Sequence, residues 1–456
     1  MTLSERNRKA DRQWQLLFDE LNITGALDLK PSYEITANKI NEISQSKYVA
    51  KFGENAADAR NILKFDFSVD LPDVFKQNKL AIFPIGHDTY KISDYKMYQK
   101  LKYEDEIVNA FDIPNWIVGL DKYNVTSEVK AQAVADISGM INHILEADSD
   151  VVESLAGKVG TGVLGPFNIN TESHGNVALN IDGWQSEIDG IYETADKALI
   201  VEAKLKAPQD FNIRQLYIPM LIYQNLLKER GMQKEILCAY FIYTNETYIF
   251  NVYRFQDINY YNSLQLVKTY HFKIGQTDYF RLADLAQLVR EVKCEPEPNI
   301  PFPQANNMYL TNELAESMQN DMIQRDDDTP IASGTWEAFQ EVTKYDYDKR
   351  QSDYYYNFLC YLGFAHKTDT FTLSNTGRQF VEAHGGSKYR LLAEAMLKLP
   401  LYHDVLELYF SEHQLSIKQI VDIIAKQRSD VTGSTLPRRA SSVKSQVEFL
   451  ISNLDK

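Results

Sequence analysis

Acidic residues alternate with apolar ones in two neighbouring segments near the middle of the chain. SEIDGIYE holds Glu187 and Asp189, and ALIVEAK ends with Glu202 and Lys204. Side chains at positions i and i+2 share one face of a β-strand. Two strands of this period, joined by the turn signal TADK, predict a hairpin. The hairpin would bring three carboxylates and one ammonium group together.

Carboxylates are costly to cluster without a compensating cation. A hard divalent ion such as Mg²⁺, which prefers oxygen ligands, supplies that charge and can activate water against a phosphoryl group. The alternative is a solvent-facing hairpin with ordinary surface charges. The metal site is favoured because Glu202 follows Asp189 by thirteen residues, with apolar residues at the opposing positions.

The spacing resembles that of the PD-(D/E)xK nuclease superfamily, and more narrowly that of bacterial type II restriction endonucleases. The matching residues are Asp189, Glu202, Lys204 and Gln215, the last in NIRQLY. The resemblance implies that Asp189 and Glu202 ligate the metal, that Lys204 assists the attack and that Gln215 supports the site. Glu187 is an added ligand or a supporting group. The proline that usually precedes the aspartate is absent.

Many members of this superfamily also have a glutamate on the helix before the first strand. Glu146, Glu153 and Glu172 are all candidates for it, and the sequence does not choose among them.

The surrounding pattern predicts an α/β fold, a mixed sheet flanked by helices, over residues 125–295. TSEVKAQAVADISGMINHILEA has apolar residues at helical spacing, and NVALNID is a third strand ahead of the hairpin. A helix is expected from near Asp210 to Gly231, kinked at Pro219. Two strands, EILCAYFIYT and TYIFNVYRF, follow it. The resemblance implies a restriction-endonuclease-like core.

Residues 1–124 are expected to form a mixed α+β module that is a candidate for DNA contact. A turn or short helix, followed by two strands around Gly86, is predicted in LPDVFKQNKLAIFPIGHDTYKI. His87 and Asp88 fit turn chemistry better than catalysis. Arg60 and Lys64 are candidate phosphate contacts.

The proline-rich segment 294–307 and the polar segment 324–335 indicate a domain boundary. Residues 335–456 are expected to be mostly helical. A helix ending at Gly363, two strands meeting at Thr368 and Asp369, and a helix from Ser374 give an order that resembles a winged helix.

The last predicted helix begins with a Thr435 cap and has Pro437 in its first turn. Its exposed N-terminal turns would present Arg438, Arg439, Ser442 and Lys444 to DNA, as a recognition helix does. Residues 426–444 have a local net charge of +4, in a chain whose net charge is -15. A solvated basic helix end is an equal alternative for this segment.

The resemblance implies a Mg²⁺-dependent endonuclease that cuts both strands of double-stranded DNA at a short sequence. A homodimer is expected, since one site cuts one strand, and a cognate DNA methyltransferase is the implied genetic partner. The alternatives are a repair or junction-resolving nuclease of the same fold, and a DNA-binding regulator with a relic nuclease core.

The composition argues against several other functions and cellular locations. The net charge of -15 argues against indiscriminate coating of nucleic acid. Three widely separated cysteines favour a reducing cytoplasm. The polar N-terminus and the lack of a long apolar run predict no secretory signal and no membrane association. The glycine-rich GKVGTGVLG lacks a phosphate-loop ending, and the eight histidines have no zinc spacing.

Overall fold

The computed structural model of the protein is mixed α/β, as predicted. It describes residues 8–103, 109–120, 125–147, 150–275, 279–302, 304–325, 329–428 and 431–454. Among these residues, no helix has both the length and the apolar character needed to cross a membrane.

The N-terminal unit is a small α+β structure. Its elements are α1 (Lys9–Leu21), α2 (Ile23–Leu27), β1 (Tyr33–Thr36), α3 (Ala37–Ile43), α4 (Val49–Phe52), α5 (Asp73–Gln77), β2 (Ala81–Pro84) and β3 (Thr89–Ser93). The strands form an antiparallel sheet in the order β1-β3-β2, and the predicted strands on either side of Gly86 are confirmed. Apolar side chains around Trp14 and Phe75 join the helices to this sheet.

The central region begins with strands that precede the predicted boundary at residue 124. Its elements are β4 (Tyr98–Lys100), β5 (Asn109–Phe111), α6 (Glu128–Ile137), α7 (Met140–Leu145), β6 (Val152–Gly160), β7 (Val163–Asn170), β8 (Asn176–Asp182), β9 (Gln185–Glu193), β10 (Lys197–Lys204), β11 (Asp210–Asn212), α8 (Arg214–Glu229), β12 (Glu235–Thr244), β13 (Thr247–Phe255) and β14 (Leu264–Ile274).

Seven of these strands form one mixed sheet in the order β5-β14-β13-β12-β10-β9-β6. β6, β9 and β10 are antiparallel neighbours, whereas β10 and β12 are parallel. The parallel pair is possible because α8 crosses over between them. Leu199 and Val201 pack on the side of α6 and α7, and Ala198 and Ile200 belong to the cluster that includes α8.

Several predicted elements of the central region differ from the structure. The predicted helix before the strands is two helices, because the chain turns at Gly139, whose φ is 86°. NVALNID is a strand, β8, but it pairs with β7 in a separate two-stranded sheet. The unpredicted β6 is the neighbour of β9. Asp210 lies in β11 rather than in a helix, and α8 begins at Arg214.

The chain is mostly helical from residue 279 onward, and this includes residues 335–456, for which it was predicted. Its elements are α9 (Leu282–Glu291), α10 (Met308–Ser317), β15 (Met322–Gln324), β16 (Pro330–Ala332), α11 (Trp336–Thr343), α12 (Lys349–Tyr361), β17 (Ala365–Lys367), β18 (Phe371–Leu373), α13 (Asn375–Glu382), α14 (Gly385–Leu397), α15 (Pro400–Glu412), α16 (Ile417–Gln427) and α17 (Thr435–Ser452).

The predicted order of helix, two strands and helix is confirmed in this part. β17 and β18 pair antiparallel, and Ser374 caps α13 by accepting from Gly377 N. The predicted Thr435 cap is wrong by one residue: Ser434 is the N-cap of α17, and Thr435 Oγ1 donates back to Thr432 O. One continuous hydrophobic cluster, from Ala81 to Leu450, joins this part to the central region.

Candidate functional site

The hairpin of β9 and β10 changes its hydrogen bonding where the acidic residues begin. The two strands are paired from Ala198 and Glu193 to Val201 and Gly190. Beyond that point the Oδ2 of Asp189 accepts a 2.8 Å hydrogen bond from Ala203 N. A carboxylate thus bonds to β10 directly, and Asp189 is held beside the last residues of that strand.

Glu202 lies at the centre of the site and is only 8% exposed. Its Oε1 accepts a 2.6 Å hydrogen bond from Lys204 Nζ and a 2.5 Å hydrogen bond from Gln215 Nε2. Gln215 is in the first turn of α8, and its side chain reaches β10, the strand that carries Glu202. The structure therefore brings together the predicted Glu202, Lys204 and Gln215.

Glu128 is a further acidic residue at this site, and it was not among the residues predicted from the sequence. Its Oε1 lies 3.8 Å from Lys204 Nζ. Ser127 caps α6 by accepting from Lys130 N, which places Glu128 in the first turn. The signal was present in the sequence, since a serine and an acidic residue before a helical pattern are typical of a helix start.

The three glutamates considered for that role lie elsewhere. Glu146 pairs with Lys197 at 3.7 Å, at the opposite end of β10 from Lys204. Glu172 pairs with Lys96 at 3.4 Å, and Glu153 lies opposite Tyr192 on β6. Glu187 is exposed and shares a strand face with Asp189.

Burial strongly affects the charges of the site. Burial raises the pKa of Glu202 to about 7, against the opposing effect of the Lys204 ammonium, and the charge of Asp189 raises it further. Burial also raises the pKa of Glu128. Burial opposes the charge on Lys204, but the carboxylates of Glu202, Glu128 and Asp189 outweigh it and raise the pKa of this lysine.

Asp189, Glu202 and Glu128 offer the oxygen donors that a hard divalent cation prefers, and Lys204 lies beside two of them. Their ligand oxygens do not all lie within 4.8 Å of one another among the described residues, so one ion could contact all three only after a side chain moves. The raised pKa of Glu202 is the response of a buried carboxyl that lacks sufficient positive charge. Within the described residues, Gln215 Oε1 is buried without a hydrogen-bond partner.

A more compact group of potential metal ligands lies on α15. His403, Asp404 and Glu407 have ligand atoms within 4.8 Å of one another, the only such group of three among the described histidine, cysteine and acidic residues. Asp404 accepts a 2.5 Å hydrogen bond from Gln427 Nε2, and Glu407 is exposed. This group is separate from the predicted site.

The basic start of α17 is less exposed than predicted. Arg438 is exposed, and Lys444 pairs with Glu448 at 3.5 Å. Arg439 instead lies over the Phe302 ring, at 5.3 Å from its centroid, and donates to Phe302 O. Ser442 is 5% exposed. The predicted exposure of Arg439 and Ser442 is wrong, because the segment around residue 302 covers this side of the helix. Asp430, the acidic residue of the basic segment, lies outside the described residues.

Comparison with known families gives three matches, each described as a domain of unknown function. The chain is similar to DUF6996 over residues 11–92, to DUF6997 over residues 93–273 and to DUF7226 over residues 337–455. No curated protein and no solved structure matches the chain. The candidate site, from Glu128 to Gln215, lies within the second matched range.

Proposed function

We propose that this chain is a Mg²⁺-dependent endonuclease that hydrolyses phosphodiester bonds in both strands of double-stranded DNA, as a type II restriction enzyme does. The observation that carries the proposal is the convergence on Glu202. Lys204 and Gln215 both bond to its Oε1, at 2.6 and 2.5 Å, and Asp189 is bound to the same strand.

The order of the elements supports the proposal. A helix, three antiparallel strands, a crossover helix and a parallel strand occur in the chain order α6, β6, β9, β10, α8 and β12, with α7 after α6 and the short β11 before α8. This is a mixed sheet flanked by helices, the architecture expected of a restriction-endonuclease-like core, with β7 and β8 inserted between its first two strands.

Asp189 and Glu202 would hold the metal ion, with Glu128 as a third carboxylate. A Mg²⁺ ion held by these carboxylates would supply a coordinated water of lowered pKa and would polarise a phosphoryl oxygen. The Lys204 ammonium stabilises negative charge that develops on the phosphate. Gln215 keeps Glu202 in one orientation, and the hydrogen bond from Ala203 N does the same for Asp189.

The oligomeric state and the DNA contact are proposed from the general principles of symmetry and DNA recognition. Because one site cuts one strand at a time and a two-fold dimer suits a palindromic target, a homodimer is proposed. Arg438 is the exposed arginine of the predicted DNA-binding set. Arginine forms paired hydrogen bonds to guanine, so this residue is proposed to contact DNA.

Digestion of a defined plasmid tests the function. We expect cleavage with Mg²⁺ or Mn²⁺, none with EDTA, and binding with little cutting in Ca²⁺, whose looser coordination positions water poorly. The matched control is Asp189→Asn, which retains the size of the side chain.

Cleavage in excess chelator would overturn the mechanism. DNA binding without cleavage in either metal would favour the relic regulator, and a preference for four-way junctions would favour a resolving nuclease.

A further inference from the structure

Residues 65–68 of the N-terminal unit are hydrogen-bonded to β11, the strand that leads into α8. Ser68 N donates to Asp210 Oδ1 at 2.9 Å, and Ser68 Oγ donates to the other carboxylate oxygen. Asn212 N donates to Asp66 O at 2.8 Å, and Asn212 Nδ2 donates to Phe65 O at 3.1 Å. We call this set of contacts the 65–68 clamp.

The partners of the clamp in the central region are buried. Asp210 and Asn212 are 7% and 3% exposed. Buried hydrogen bonds of this kind are costly to break, because each lost partner leaves a desolvated polar group. The clamp therefore restricts the position of β11.

The clamp extends to the first residue of α8 through an ion pair. Asp66 Oδ1 lies 2.9 Å from Arg214 Nη2. The Arg214 guanidinium also lies over the Trp184 ring, 5.2 Å from its centroid, and its side chain is 11% exposed. Arg214 is thus held both by the N-terminal unit and by the residue that precedes β9.

One residue of the clamp also caps the first turn of α8. Its N-cap residue, Ile213, makes no side-chain cap hydrogen bond. Arg214 N instead donates to Asn212 Oδ1 at 3.1 Å, so a residue inside the clamp satisfies one free N–H group of the helix start. The next residue, Gln215, makes the 2.5 Å hydrogen bond to Glu202.

We propose that Asp66 is a positioning residue for the candidate nuclease site. Through Arg214 it fixes the first turn of α8, and so the contact between Gln215 and Glu202. The inference rests on the proposed function. It makes the N-terminal unit a structural part of the site, not only a candidate DNA-contacting module.

The test compares Asp66→Ala, Asp66→Asn and Asp66→Glu in the full chain. We expect Asp66→Ala to lower the single-turnover cleavage rate by about 100-fold, since misplacement by about 1 Å has that effect, and to leave the Kd for DNA within about twofold. Asp66→Glu, which retains the carboxylate, should restore most of the rate. The control is Glu42→Ala, which removes the exposed Lys39–Glu42 pair of the same unit.

A second measurement does not depend on activity. Hydrogen exchange of the amides of residues 214–218, in protein without DNA, should be faster in Asp66→Ala and Asp66→Asn than in wild type, and unchanged in Glu42→Ala. If the wild type cuts no DNA, the proposed function fails, and the exchange rates still test the position of α8. Wild-type cleavage and exchange in a folded Asp66→Asn variant would overturn the inference. So would a loss of DNA affinity equal to the loss of rate.

Discussion

Lys204 Nζ donates a 2.6 Å hydrogen bond to Oε1 of Glu202, the residue two positions before it on β10. In the proposed mechanism this pair joins a metal ligand to the cation that faces the phosphate, so removal of either side chain should disable the site. We expect Glu202→Ala and Lys204→Ala each to lower the cleavage rate by at least about 100-fold, the typical cost of a charged group aligned with the transition state. Asp189→Ala should do the same, and Glu187→Ala should be milder.

The measurement is the single-turnover rate on plasmid, with specific binding measured in Ca²⁺. Glu235→Ala is the matched control, because Glu235 is an acidic residue of the same sheet whose partner is Arg254. Near wild-type cleavage by folded Asp189→Ala and Glu202→Ala proteins would contradict the assignment.

Glu128 and Glu146 should behave differently, although both flank the same strand. Glu128→Ala removes a carboxylate that lies 3.8 Å from Lys204 Nζ, whereas Glu146→Ala breaks a surface pair with Lys197. We expect the first variant to need more Mg²⁺ for half-maximal cleavage and the second to match wild type. Equal Mg²⁺ titrations for the two variants would remove Glu128 from the site.

The requirement for Mg²⁺ should depend on pH. Burial raises the pKa of Glu202 to about 7, so below this pH its carboxyl holds a proton that the metal must displace. The Mg²⁺ concentration for half-maximal cleavage should therefore rise as pH falls, approaching about tenfold per pH unit for one displaced proton. Titrations at pH 6 and pH 8 measure the effect. The same Mg²⁺ requirement at both values would show that Glu202 is already ionised at pH 6.

The two neighbouring arginines of α17 should have separate effects. Arg438 is exposed, so Arg438→Ala should weaken DNA binding by about 1–3 kcal/mol if it contacts a base. Arg439 lies over Phe302, so Arg439→Ala should lower the Tm. Binding titrations on cognate and substituted duplexes at two salt concentrations, together with thermal unfolding, distinguish them. If Arg438→Ala matches wild type on every duplex, another region contacts the DNA bases.

Glu313, on α10, should make stability depend on pH. Its Oε1 accepts from Ala207 N and Thr244 Oγ1, at 2.9 and 2.8 Å, and burial raises its pKa to about 7. The folded state favours the neutral carboxyl, so its contribution to stability is present below about pH 4.5 and is lost as pH rises through 7. The loss is about 3 kcal/mol. Glu313→Gln should be more stable than wild type at pH 8 but not at pH 4.5, as urea unfolding at both values would measure.

The hairpin that carries the site could be predicted from the sequence because the pattern that specifies it lies within neighbouring residues. Alternation with a period of two fixes which residues share a face, and it placed Glu202 and Lys204 together correctly. The long apolar runs that became β12 and β13 were equally clear.

The errors arose where distant residues decide the local structure. Asp210 was expected in a helix, but its carboxylate binds Ser68, 142 residues earlier, and the chain there is a strand. Arg439 was expected to be exposed, but Phe302 covers it. β6 was not predicted because its exposed, glycine-containing sequence has no clear apolar face. The contact of Asp210 with Ser68 and that of Arg439 with Phe302 leave no periodic signal in the sequence.

The hydrophobic cluster that runs from Ala81 to Leu450 joins the central sheet to the C-terminal helices without a gap. The two parts should therefore melt together in one cooperative transition, since neither can lose its packing while the other retains it. Residues 335–456 produced as a separate fragment would leave apolar side chains of this shared core in water. Such a fragment should aggregate, and gene fusions or truncations that cut the chain near residue 335 should yield insoluble protein.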